Sequence, residues 1–227
     1  MILNSLVVGR LIQKVPTIIA EIDSKHPVNK SVSTITFKAH EPVKGLKSFH
    51  SDIQMIGRHY LVRDINHKNV KRHYTISNCM QKDVYKEYVR ILNEGSARTS
   101  LNKDTENYFD DRDQDQLIMT IKNYNLPKGL SHNIHTSEKA QFEIKGPMGK
   151  GLDIQSKGTH IAFTAGTGCL VFVDLVAHLI RKNNDLLREK EEAFIDKKDF
   201  KFVFFVSFPT REEGIALELC EGLLQNC

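Results

Sequence analysis

Three short segments carry residue types suited to holding a flat, phosphate-bearing ligand. The first is Arg72-His73-Tyr74-Thr75-Ile76-Ser77. In an extended strand Arg72 and Tyr74 share a face about 7 Å apart, so a cation and an aromatic plane are presented together. That pair suits an anionic group joined to a flat ring, although a strand with an ordinary surface Arg–Tyr contact reads the same way. The second comprises Ile121-Lys122-Asn123-Tyr124, Gly129-Leu130-Ser131 and Ile144-Lys145-Gly146-Pro147-Met148-Gly149. Gly129 and Ser131 bring backbone N–H groups and a hydroxyl close to a phosphate, because glycine has no side chain to block the approach. Gly146-Pro147 reads as a rigid turn, with Gly149 a permissive position after it. The third is Ala165-Gly166-Thr167-Gly168. A glycine turn that opens a helix aims N–H groups and the positive end of the helix dipole at an anion. Its spacing is not G-x-G-x-x-G, so it is no ordinary dinucleotide fingerprint.

The elements that must position these segments follow from the apolar pattern. Short near-alternating runs at Thr17–Ile22, Val32–Ala39, His59–Val62, Arg72–Ser77 and Glu87–Leu92 predict strands of an antiparallel barrel or sandwich. Beyond Lys157 the pattern predicts a buried strand at Thr159–Ala165, a helix at Cys169–Lys182, a second strand at Phe200–Ser207 and a helix at Glu212–Leu224. That β-α-β-α order is the grammar of a parallel sheet. The expected architecture is thus an antiparallel Greek-key β-barrel followed by a truncated parallel α/β unit. The expected divisions are an N-terminal arm at 1–14, the barrel at 15–156 with a polar insertion at 94–116, and the α/β unit at 157–227. The charged stretch Lys182–Lys198 reads as an exposed helical extension and loop.

Length and composition narrow the function classes. At 227 residues with 40% hydrophobic and 26% charged side chains, the chain fills one large domain or two small ones. A net charge of +4 without a dense Lys/Arg block argues against nucleic acid as a partner. Cys79, Cys169, Cys220 and Cys227 form no C-x-x-C pair, which fits a reducing intracellular compartment rather than a disulfide framework. His132 and His135 fall in an expected loop without a thiol or carboxylate at ligand spacing, so no metal site is expected. Ile161–Ile180 passes a crude hydropathy window, but Asp174, His178 and Gly166-Thr167-Gly168 interrupt it. Asp174, His178 and Arg181 fall at i, i+4 and i+7, one polar stripe on an otherwise apolar helix.

Taken in order, the motifs resemble the ferredoxin-NADP reductase superfamily, most closely its cytochrome-b5-reductase-like branch, over roughly Val15–Leu224. In that family an Arg-x-Tyr-[Ser/Thr] strand binds flavin, a Gly-x-x-Ser-like segment holds the flavin diphosphate, and Gly-Pro-x-Gly closes the barrel. A Gly-Thr-Gly turn then meets the pyridine nucleotide. The resemblance implies FAD as cofactor and NADH or NADPH as substrate. Arg72 is expected on the flavin diphosphate, Tyr74 on the isoalloxazine or ribityl portion and Thr75 near the flavin N5 edge. Gly129, Leu130 and Ser131 line the diphosphate, and Ile121 and Tyr124 flank the cofactor. Gly166, Thr167 and Gly168 meet the nucleotide pyrophosphate. Its adenosine ribose is expected by Ser207, Thr210 and Arg211, with Arg211 available to a 2′-phosphate; Thr210 and Glu213 also read as a helix capping box.

Two departures bear on activity. The family turn continues with Thr or Ala and Pro, whereas this chain continues Cys169-Leu170-Val171, and a bulky Leu170 there would obstruct the nicotinamide. Two parallel strands with two helices leave sheet faces and edges uncovered, which points to a larger assembly or a further C-terminal segment. The implied activity is a flavin-dependent NAD(P)H oxidoreductase module delivering electrons to an acceptor protein or domain. The alternative is a non-catalytic structural subunit that keeps the reductase fold.

Overall fold

The computed structural model describes residues 15–41, 53–66, 70–94, 115–138, 140–184, 186, 195–196 and 198–225. The expected N-terminal arm, most of the polar insertion and most of the charged stretch lie outside these residues.

Six strands form one antiparallel sheet: β1 (Thr17–Pro27), β2 (Val32–Ala39), β3 (His59–Asp64), β4 (Lys71–Thr75), β5 (Gln116–Lys122) and β6 (Gln141–Met148). Their order is β4-β3-β6-β1-β2-β5, as in a barrel cut open between β4 and β5. The two ends approach each other through a single bridge, Ile76 to Met119, so the expected barrel is not closed. Alternation explains the core: Ile35, Phe37, Val62, Met119, Phe142 and Ile144 all point inward and are buried. Phe37 and Phe142 meet edge to face, with centroids 5.6 Å apart.

Two further strands, β7 (Gly158–Ala165) and β8 (Phe200–Ser207), pair in parallel over their full length. Between them runs α3 (Leu170–Asn183), and α4 (Leu217–Gln225) follows β8. The helices cover one face of this sheet. On the other face Ile161, Phe163 and Phe205 are 58%, 76% and 52% exposed, and the two Phe rings stack at 4.8 Å. A parallel sheet ordinarily has both faces covered. No helix among the described residues is long and apolar enough to cross a membrane.

Several expectations are corrected. Glu87–Leu92 is not a strand but part of α1 (Lys82–Glu94). A window of six residues hides the period: Val84, Tyr88, Ile91 and Leu92 recur at helical spacing and are all buried. His132 and His135 lie not in a loop but on a short helix, α2 (Leu130–Thr136), where the His135 Nδ1–H donates to the Ser131 carbonyl at 2.7 Å. Gly146-Pro147, expected as a turn, sits at the end of β6 and is joined by a cis peptide. A side chain at Gly146 would come within 2.6 Å of the Tyr60 ring, so glycine is required there. Finally, the helix expected from Glu212 begins at Leu217, after a separate 3-10 turn at Arg211–Glu213. Thr210 makes no capping bond to that turn and instead bonds the Glu212 side chain, so the capping box does not form.

The near end of the charged stretch is anchored rather than exposed. Lys182 is buried and its ammonium donates to the Ile195 carbonyl. Arg181 donates to the Leu186 carbonyl at 3.4 Å. The two sheets share one apolar cluster, in which Val84, Tyr88 and Ile91 of α1 meet Val173, Ile180 and Leu219 of α3 and α4. α1 precedes the second sheet in sequence but packs with its helices.

Candidate functional site

β4 pairs with β3 so that Tyr74 lies opposite Tyr60 and Arg72 opposite Val62. Arg72 and Tyr74 therefore share the inward-turning face, as alternation requires, and Thr75 points to the other side beside His59. Arg72 is exposed, and its only side-chain hydrogen bond among the described residues goes to the Lys71 carbonyl at 3.1 Å. Tyr74 packs against the barrel core. Its hydroxyl is buried and finds no hydrogen-bond partner among the described protein atoms. Burial holds the phenol well above its ordinary range, opposed in part by Arg72 and reinforced by Tyr124. It is therefore a neutral donor across the physiological range.

Leu130, at the start of α2, belongs to the same apolar core as Tyr74. Gly129 is its N-cap in extended conformation, and its N–H closes a tight turn on the Leu126 carbonyl at 2.7 Å. The Leu130 side chain enters the barrel core and Ser131 is buried. Ile121 is likewise a core residue, so Ile121 and Leu130 can meet a ligand only through their backbones. Tyr124 is 61% exposed, and the Lys122 ammonium stands 5.9 Å from its ring centroid.

The third motif forms a 3-10 turn, Gly166–Cys169, leading directly into α3. Gly166 has φ +52, a left-handed conformation that favours glycine, and a Cβ built there meets nothing within 4 Å. Open space thus lies over a backbone turn that points into a cleft.

That cleft, of about 520 Å³, runs along the seam between the sheets. Lys122 and Tyr124 line one wall, Gly166 and Thr167 the other, and Ser207 and Glu213 its end. Four expected residues, Tyr124, Gly166, Thr167 and Ser207, are therefore brought together. Gly168, Thr210 and Arg211 do not line it, and neither do Arg72, Tyr74, Thr75, Ile121, Gly129, Leu130 and Ser131. Arg211 is exposed and forms an ion pair with Glu221 at 2.8 Å. Leu170, expected as an obstruction, is buried in the apolar cluster and stays out of the cleft.

The expected site residues leave out Lys122, Asn29, Ser31 and Glu213, all on the cleft, although Lys122 stands in the second motif and Glu213 in the expected capping box. Lys122 had a legible signal: it alternates with buried Ile121 on β5 and so faces outward. Asn29 had one as well, since Asn-Lys-Ser is a turn sequence. Its Oδ1 accepts from the N–H groups of Ser31 and Val32, each at 3.0 Å, and its Nδ2 donates to the Glu213 carbonyl at 3.1 Å. Cys169 and Cys220 are pushed up to about 12 and about 11, mainly by burial, so neither thiol is a ready nucleophile.

No family model and no curated protein matches the sequence. Solved structures do match in fold. The cytochrome b5 reductase domain of Ulva prolifera nitrate reductase superposes with a TM-score of 0.54 at 14% identity, covering 92% of this chain and 69% of that one. The FAD/NAD binding domain of nitric oxide dioxygenase from Vibrio cholerae gives 0.53 at 12% identity, covering 92% and 70%. An Amycolatopsis cytochrome P450 reductase gives 0.56 at 10% identity, covering 98% and 52%. This chain thus spans between about half and 70% of the length of these three. With an open barrel-type sheet feeding a parallel α/β unit across a shared cleft, the chain shares the fold of the cytochrome b5 reductase domain and the FAD/NAD binding domain on which it superposes.

Proposed function

We propose that this protein is a flavin-dependent NAD(P)H oxidoreductase module that binds FAD along β4 and α2 and passes electrons to an acceptor protein or domain. One observation carries the reading. The Tyr74 hydroxyl is buried without a partner among the described residues, on the strand that also presents an exposed, largely unengaged Arg72. A buried hydroxyl left unpaired costs about 1–3 kcal/mol, and a ligand acceptor placed there removes that cost. Arg72 would hold the diphosphate with charge-assisted bonds, aided by the Ser131 backbone N–H, whereas the Gly129 N–H is already given to the Leu126 carbonyl. Tyr74 would donate to the cofactor, and Thr75, whose side chain turns to the other face, would border its redox edge through its backbone. FAD bound there supplies the conversion of a hydride into single electrons.

The chain's own contribution on the other side is to bind and orient the nucleotide. Gly166 and Thr167 offer backbone N–H groups to a pyrophosphate, and Lys122 adds a cation across the cleft. The end of the cleft favours NADH over NADPH. Arg211, expected to favour a 2′-phosphate, is engaged by Glu221, while Glu213 lies on the cleft. A carboxylate there accepts from a ribose hydroxyl and repels a phosphate.

The test is anaerobic addition of NADH to the flavin-loaded protein. Bleaching of the flavin absorption, faster with NADH than NADPH, is expected; no bleaching with either nucleotide refutes the oxidoreductase reading. The second reading, a non-catalytic subunit that keeps the fold in a larger assembly, is favoured by the exposed face of Ile161, Phe163 and Phe205. A protein that holds flavin but is not bleached would support it.

A further inference from the structure

Asp174 stands one turn into α3, yet its carboxylate bonds to the segment that follows β4. Its Oδ2 accepts from the Asn78 N–H at 3.1 Å and its Oδ1 from the Cys79 N–H at 2.9 Å. These N–H groups open the 3-10 turn Asn78–Met80, whose own preceding residue, Ser77, provides no side-chain cap. A carboxylate spanning two consecutive N–H groups makes two charge-assisted, directional bonds. Apolar neighbours such as Met80, Val173 and Ala177 supply cohesion without direction.

The same turn is fastened to the barrel sheet from its other side. The Ser77 N–H donates to the Ile118 carbonyl at 3.3 Å, and the Ser77 hydroxyl lies 2.9 Å from that of Thr120. The Thr120 N–H donates to the Ser77 Oγ at 2.9 Å, and the Thr120 hydroxyl meets that of Thr34 at 3.1 Å. All three hydroxyl side chains are buried. The turn is therefore a junction, three residues from Thr75 on one side and bonded to the helix that Gly166–Cys169 opens on the other.

We infer that Asp174 is a positioning residue that holds the Gly166-Thr167-Gly168 turn in fixed register with the Arg72–Thr75 strand, so that the two candidate binding segments move as one body. The inference rests on the function proposed above for what it does to the reaction, but not for the clamp itself. Hydride transfer needs reacting atoms about 3–3.5 Å apart, and a misplacement of about 1 Å costs on the order of 100-fold in rate.

The experiment uses Asp174→Ala in the full chain, with two readouts. In the first, the anaerobic flavin-bleaching rate at saturating NADH should fall about 100-fold while FAD affinity stays within about threefold of wild type. Leu219→Ala, which opens the same apolar cluster without touching the clamp, should leave the rate within about threefold at a temperature where it is folded. In the second, residual dipolar couplings of the two sheets should fit one alignment tensor in the wild type and two in Asp174→Ala, with or without turnover. A single tensor in the variant, or an unchanged bleaching rate, overturns the inference. If wild-type flavin is never bleached, the proposed reaction fails and the alignment result alone decides the clamp. If Asp174→Ala does not fold, Asp174→Asn replaces it, since its amide sets an NH2 donor against an N–H donor and breaks one of the two bonds.

Discussion

Replacing Tyr74 with Phe removes one oxygen and should change the protein in opposite directions with and without flavin. The ring is held against the barrel core beside Tyr60, its cross-strand partner, and Phe keeps that packing. In the flavin-free protein the hydroxyl is buried and unpaired, so its removal stabilises by up to about 1–3 kcal/mol. For a chain of this length that raises Tm by roughly 2–4 °C for each kcal/mol. In the flavin-loaded protein the hydroxyl has an acceptor, and its loss costs about 0.5–1.5 kcal/mol. The two effects add in the binding free energy, so FAD affinity should drop by at least about tenfold. Because burial keeps this phenol protonated well above its ordinary range, the loss should be the same at pH 6 and pH 8. The assay is thermal unfolding of flavin-stripped and flavin-loaded protein, with a fluorescence-quenching titration for affinity. A Phe variant that melts lower when flavin-free, or that binds FAD as tightly as wild type, refutes the reasoning.

Arg72→Ala should weaken FAD binding by about 1.5–3 kcal/mol, roughly 13- to 160-fold in Kd, read by the same titration. Ser77→Ala leaves the Thr120 N–H and hydroxyl short of a buried partner and should lower stability by about 1–3 kcal/mol in urea unfolding. Acidification should destabilise the fold. Burial, the largest cause in each case, holds His26, His59 and His135 below the ordinary histidine range. The unfolded chain therefore binds more protons below about pH 6.5, and the stability present above that value is lost as pH falls through the lowered folded pKa values. Tm should be lower at pH 5.5 than at pH 7.5, and His135→Gln should lessen the difference; a Tm that is flat or rises on acidification contradicts this.

Much of the fold is legible where one apolar run makes one element. Val32–Ala39 and Phe200–Ser207 coincide with β2 and β8 because continuous apolar or alternating runs end at turn residues. α1 was obscured because a strand-length window over Glu87–Leu92 cannot distinguish the two periods, and α2 because Leu130 and Ile134 are its only apolar anchors. The ligand-facing side chains divide in the same way. Alternation alone places Arg72 and Tyr74 on one face, but what Arg211 does depends on Glu221, ten residues away on the next helix. The partners of Asp174 lie 95 and 96 residues earlier in the chain, and no local pattern announces such a pairing. The orphaned Tyr74 hydroxyl is a property of packing, invisible until the strands are registered.

The most direct test of the central claim is the visible spectrum of the purified protein after incubation with excess FAD and gel filtration. Flavin absorption that travels with the protein, and is lost from Arg72→Ala under the same treatment, is the predicted result. A colourless wild-type protein that retains no FAD would contradict the assignment of β4 and α2 as a flavin site.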